Sequence, residues 1–340
     1  MARKIWSLAI LLLVSFALVT NWHQLPIANS GGSKSELKHP IVIGYSNWAG
    51  WWPWAIAESE DLFTKNGLNV ELRWYDDYTE SLEDLAAGYI DGNCQTLNDT
   101  LSFVNSAVEG EVIVLVNDNS AGNDKIIAAP EIGSVKKLRN QRVAIEAGVV
   151  DDFLLTLALE QENMSRDDVE IVDLETGAAV EAFVAEQADA VGAFPPFWLR
   201  ALQRSGAAEI ITSKAFPGAI PDLLVVTQKL VDRHALEVQS LVETWFDILE
   251  FMSAQPAKAE QIMSERAGVS REEFQLFKAG TKMFTLQDNL QAFEIGNDMT
   301  SMPYAALKIV DYLHNSLRSI DKKPDLTEIF DSSFIKSYAL

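Results

Sequence analysis

Acids and tryptophans are the side chains whose spacing in this chain could do chemistry. The stretch Ser46-Asn47-Trp48-Ala49-Gly50-Trp51-Trp52-Pro53-Trp54 holds four of the nine tryptophans. It follows Ile41-Val42-Ile43, a β-branched run that reads as a buried strand. Gly44, Gly50 and Pro53 make a shaped turn at that strand's carboxyl end. Open α/β sheets bind small molecules at such ends. Trp48 and Trp51, with Ser46 and Asn47, are therefore expected to line a pocket, and Trp52 and Trp54 to pack under the following helix. Acids recur where other strands are predicted to end: Asn98-Asp99, Asn117-Asp118 through Asn123-Asp124, Glu146 through Asp151-Asp152, Glu175, and Asp222. Phe194, after a strand over 190–193, adds an aromatic face. Lys125 is the one cation in these segments.

Each acid also has a structural reading. Asp99, Asp151 and Asp152 sit at predicted helix starts, where a carboxylate caps N–H groups, and for Asp152 that role is expected. Asp118 and Asp124 could brace a crossover. Glu175 suits a cap and a ligand equally, whereas Glu146 has no evident cap role. Several unpaired carboxylates cannot share a closed cleft, because a desolvated charge needs a partner or takes up a proton. A small cation supplies that partner. Tryptophan faces attract cations by roughly 0.5–2 kcal/mol, and a flat guanidinium matches carboxylates bidentately while its faces stack. The candidate ligand-binding set is Ser46, Asn47, Trp48, Trp51, Asn98, Asp99, Asp118, Asp124, Glu146, Asp151, Glu175 and Phe194.

The elements that must position these residues alternate. Strand and helix patterns follow one another from Ile41 to Asn117, and a second such series runs from Lys125 to Ala193. This rhythm predicts an α/β fold of two lobes, each a mainly parallel sheet flanked by helices. A helix over 53–66 is expected after the tryptophan turn. Leu85 to Gly92 echoes Phe183 to Ala190, each a helix end, a turn with an Asp (Asp91, Asp189) and a strand. Lobe I is expected from 41–122 and 223–340, lobe II from 123–222, with a hinged cleft between them. From 238 on the pattern is helical, with Leu241, Trp245 and Ile248 on one interior face and Leu307, Val310 and Leu313 on another.

Arg3 and Lys4 precede the apolar run Ile5–Val19, which reads as a signal peptide over 1–30, followed by a linker over 31–40. The mature chain is expected to be soluble and periplasmic, an uncleaved anchor being the alternative. A formal charge of −22 and a pI near 4.5 argue against nucleic acid and anionic membranes as partners. The single cysteine, Cys94, excludes an internal disulfide. No Gly-rich phosphate loop or His-based metal pattern appears, so neither metal nor cofactor is expected.

The Gly44-Tyr45-Ser46-Asn47-Trp48 run with Gly50 and Pro53, Leu85-Ala86-Ala87-Gly88 with Asp91, and Val143-Ala144-Ile145-Glu146 with Gly148 resemble the substrate-binding proteins of bacterial ABC importers in the nitrate, sulfonate and taurine group. The resemblance runs from about Ile41 almost to the C-terminus. It implies a type II periplasmic-binding-protein fold, a monomer that closes over one small molecule and delivers it to a permease and ATPase. Relatives that hold anions need cations or free N–H groups at helix starts, and the acids here depart from that. Trp51-Trp52-Pro53-Trp54 with Asn117 through Asp124 resembles the subgroup linked to urea or guanidine uptake. Guanidinium is therefore the expected ligand. Urea, or an anion such as nitrate, taurine or an alkyl sulfonate, is the alternative. Some relatives are enzymes making a thiamine pyrimidine precursor. No histidine falls in a predicted cleft loop here, so no enzyme is expected.

Overall fold

A computed structural model describes residues 39–340. The leader and nearly all of the linker lie outside the described residues. The strands, in chain order, are β1 (Ile41–Tyr45), β2 (Val70–Trp74), β3 (Gly92–Thr96), β4 (Glu111–Ser120), β5 (Lys125–Ala128), β6 (Arg142–Ile145), β7 (Glu170–Asp173), β8 (Ala190–Ala193), β9 (Ala208–Thr212), β10 (Pro221–Thr227) and β11 (Thr281–Met283). They form a six-stranded sheet, β11-β4-β10-β3-β1-β2, and a five-stranded sheet, β7-β6-β8-β5-β9. Helices flank both. The result is a two-lobed α/β protein of the periplasmic-binding type.

Both sheets are mixed rather than mainly parallel. β1 runs parallel to β2 and β3, but β10 is antiparallel to β3 and β4, and β11 to β4. In the second sheet β6 is parallel to β7 and β8, whereas β5 is antiparallel to β8 and β9. The reason lies in the two crossovers. β5 and β10 are the strands by which the chain enters each sheet from the other, so they start at the edge where their neighbours end. β4 is buried along its whole length, which explains its apolar run on both faces.

The echo between the halves has a structural counterpart. Asp91 Oδ2 accepts the Val42 N–H at the start of β1 (2.9 Å), and Asp189 Oδ2 accepts the Arg142 N–H at the start of β6 (2.9 Å). Each aspartate closes the turn before one strand onto the first turn of its neighbour.

Three local expectations are corrected. The single helix over 53–66 is two short helices, Trp54–Ser59 and Leu62–Lys65, broken where Asp61 takes φ 55°. β9 and β11 are short strands with no alternating pattern and escaped the sequence reading. Leu307 is 57% exposed, while Val310 and Leu313 are buried. Leu241, Trp245 and Ile248 of the helix Gln228–Ala254 are fully buried. No helix among the described residues is long and apolar enough to cross a membrane.

Candidate functional site

A cavity of about 460 Å³ lies between the two sheets, at the carboxyl ends of their parallel strands. Ser46 follows β1, Asp76 and Asp77 follow β2, Thr96 ends β3, Glu146 follows β6, Glu175 follows β7 and Phe194 follows β8; all line it. Asp124 precedes β5 and Asp222 lies in β10, so the crossover strands contribute as well.

Of the twelve residues singled out above, eight line the cavity: Ser46, Asn47, Trp48, Trp51, Asp124, Glu146, Glu175 and Phe194. Asn98, Asp99, Asp118 and Asp151 are not among the residues that line it. Asp99 is turned into the first lobe. It accepts hydrogen bonds from the Tyr78 hydroxyl (2.8 Å), Thr96 Oγ1 (2.7 Å) and Asn98 Nδ2 (2.9 Å), and burial pushes its carboxyl up to about 6. Asn98 also donates to the Gly148 carbonyl in the other lobe (2.8 Å). Asp118 accepts from Trp48 Nε1 (3.1 Å) and so orients that indole. Asp151 is buried beneath the wall, both oxygens without a partner. Burial and the neighbouring charge of Asp124 hold its carboxyl well above the ordinary range.

The tryptophan turn divides in two. Trp48 and Trp51 lie 6.2 Å apart on the cavity wall, and Trp51 lies 5.5 Å from the Tyr78 ring. Trp52 packs on Phe274 and Phe277, and Trp54 on Phe63 and Trp245. Gly50 is required here by close approach. A Cβ there would sit 1.6 Å from Asp118 Oδ2.

The wall carries six acids, Asp76, Asp77, Asp124, Glu146, Glu175 and Asp222, and no lysine, arginine or histidine. Lys125 is turned away, paired with Glu209 (2.6 Å) over the Trp198 ring. Four of the six acids are already engaged. Asp77 accepts the Thr79 N–H at the start of the helix Tyr78–Ala86, and Glu175 accepts the Gly177 and Ala178 N–H groups at the start of the helix Thr176–Val184. Glu146 accepts from the Thr176 N–H and hydroxyl and, across the cleft, from the Thr79 hydroxyl (3.1 Å). Asp76 accepts from Trp74 Nε1. Two helix starts at the wall, Tyr78 and Thr176, are thus capped by the chain's own carboxylates, whereas the helix Val150–Gln161, whose first residue lines the cavity, has no side-chain cap.

Asp124 and Asp222 differ. Each is 1% exposed and has a carboxylate oxygen without a partner. Burial pushes Asp124 up to about 7. Asp222 and Asp118 occupy paired positions of β10 and β4. Burial raises both carboxyls, and the charge of Asp118 raises Asp222 further. Asp222 was legible as an acid at the return crossover, but only its pairing places it on the wall. Trp74, Asp76, Asp77, Tyr78, Thr79, Thr96, Val150, Pro196, Phe197 and Ile220 were missed. Trp74 and the Asp76-Asp77 pair at the end of a predicted strand were a usable signal.

No group of three or more His, Cys, Asp or Glu among the described residues is arranged to hold a metal ion. Cys94 is fully buried, and burial holds its thiol well above the usual value.

A model of the NMT1-like family matches residues 34–265. A Brucella abortus protein called a binding protein by name alone is 23% identical over 73% of this chain and 78% of its own length. Among solved structures, the periplasmic aliphatic sulphonate binding protein SsuA from Escherichia coli superimposes with a TM-score of 0.70 at 18% identity, covering 86% of this chain and 98% of that one. The desulfurization enzyme DSZB superimposes with a TM-score of 0.62 at 14% identity, covering 88% and 98%.

Proposed function

The chain belongs to the NMT1-like family, and from that premise we propose that it is an extracytoplasmic solute-binding protein of an ABC importer that captures a small planar nitrogen cation, guanidinium above all. The observation that carries the choice of ligand is the wall of six acids without a basic residue, with two buried carboxylates whose oxygens lack partners. An isolated buried carboxylate takes up a proton or finds a positive partner. A guanidinium meets Asp124 and Asp222 edge-on through parallel N–H donors and offers its faces to Trp48 and Trp51. In this role the lobes close over the solute, and a permease and ATPase receive it.

A second reading is an anion of the sulfonate type, favoured by the likeness to the sulphonate-binding fold. It requires positive charge or open helix starts; Asp77, Glu146 and Glu175 occupy two of those starts, and the uncapped start of the helix Val150–Gln161 is the place left for it.

Titration calorimetry with guanidinium, urea, nitrate and taurine separates these readings. Saturable binding of guanidinium is expected. Asp124→Asn is expected to weaken it by roughly 1.5–3 kcal/mol, the range for a hydrogen bond to a charged group. Heat from taurine or nitrate with none from guanidinium reverses the assignment.

A further inference from the structure

The cavity is built in two parts, and they differ in burial and chemistry. Its inner part presents Asp124 and Asp222 beside Trp48 and Trp51, all at most 5% exposed. Its mouth presents Trp74, Phe194, Pro196 and Phe197, each partly exposed. Phe194 and Phe197 stand edge to face, 5.4 Å between centroids. The acids at the mouth already accept from helix-start N–H groups, from Thr79 across the cleft or from Trp74, and the buried carboxylate oxygens of the wall that lack a partner are those of Asp124 and Asp222.

Volume adds an independent point. A bare guanidinium has four heavy atoms and fills roughly the space of two or three waters, each on the order of 30 Å³. The cavity measures about 460 Å³, in the range of pockets that enclose larger organic ligands.

Resting on the cation reading above, we propose that the ligand is an N-substituted guanidinium or an amidinium, bound with its charged head inward at Asp124 and Asp222 and its apolar body outward between Trp74 and the Phe194–Phe197 pair. The head takes the deep place because that is where unpaired oxygens await donors. The body takes the mouth because aromatic and proline surface there leaves water only when apolar matter covers it.

The test measures dissociation constants for guanidinium, butylguanidinium, phenylguanidinium and benzamidinium on the full mature chain, with benzamide as the uncharged control. Substituted cations are expected to bind at least about tenfold more tightly than guanidinium, since each buried methylene adds to affinity. Benzamide is expected not to bind. Phe197→Ala is expected to remove most of that gain, and its melting temperature, measured beside the binding, shows whether the variant is folded. Equal or weaker binding of the substituted cations, with guanidinium intact, overturns the two-part assignment and leaves the cation reading standing. If none of the four cations binds, the cation reading itself falls.

Discussion

At the level of single residues, the proposed choice of ligand turns on which buried carboxylates have an oxygen without a partner. Asp152 is paired bidentately with Arg166 at 2.9 Å and accepts the Gly148 N–H; Asp189 is paired with Arg142. Asp124 and Asp222 have no such cation. This has a consequence for pH. A buried carboxyl raised above its unfolded value, near 4, binds more protons in the folded state than in the unfolded one. Its stability contribution is full below the unfolded value and is lost as pH rises towards the folded one. For Asp124 the window runs from about 4 to about 7, and Glu111, buried elsewhere and pushed up to about 8, acts with the same sign. The ligand-free protein is therefore expected to melt at a lower temperature at pH 8 than at pH 5. Asp189, held low by Arg142, titrates below that window. A cation replaces the protons, so guanidinium affinity should rise across the same window, and the calorimetric heat should depend on the buffer's ionisation enthalpy. Flat affinity between pH 5 and 8, with buffer-independent heat, contradicts protonated acids in the site.

At the level of elements, turns and helix starts place the wall. The Trp48–Trp54 turn exists in this form because Gly50 leaves room for the Asp118 carboxylate. Gly50→Ala is expected to push that carboxylate aside, break the Trp48–Asp118 bond and lower both melting temperature and ligand affinity. Gly133→Ala, where a Cβ meets nothing within 4 Å, is the control and should change neither. Unchanged tryptophan emission and stability in Gly50→Ala would show that Asp118 does not orient Trp48. The strand–turn–helix order around this turn was legible because a β-branched run, two glycines and a proline are local signals. The break at Asp61 was not, since the periodicity of 53–66 continues through it. Nor was the cap role of Glu146, because the N–H it accepts belongs to Thr176, 30 residues away.

At the level of the whole molecule, two side-chain bonds cross the cleft: Thr79 Oγ1 to Glu146 and Asn98 Nδ2 to the Gly148 carbonyl. They join the first lobe to the second without occupying the deep end of the cavity. Asn98→Ala removes one of them. Net contributions of roughly 0.5–1.5 kcal/mol per hydrogen bond predict two- to tenfold weaker binding, expressed mainly as faster release in stopped-flow tryptophan fluorescence. An unaltered release rate would mean that this bond does not hold the lobes together.

The amino-acid order alone determined the alternation of strands and helices, the two lobes and the concentration of acids and tryptophans where strands end, because each of these is written in spacing over a few residues. The tertiary structure decided which acids remain open to a ligand. Asp118 meets Trp48 across 70 residues and Glu146 meets Thr79 across 67. Asp222 meets Asp118 only because β10 returns antiparallel beside β4. A carboxylate's charge and availability depend on its partners and its burial, and both are set by chain segments distant in sequence.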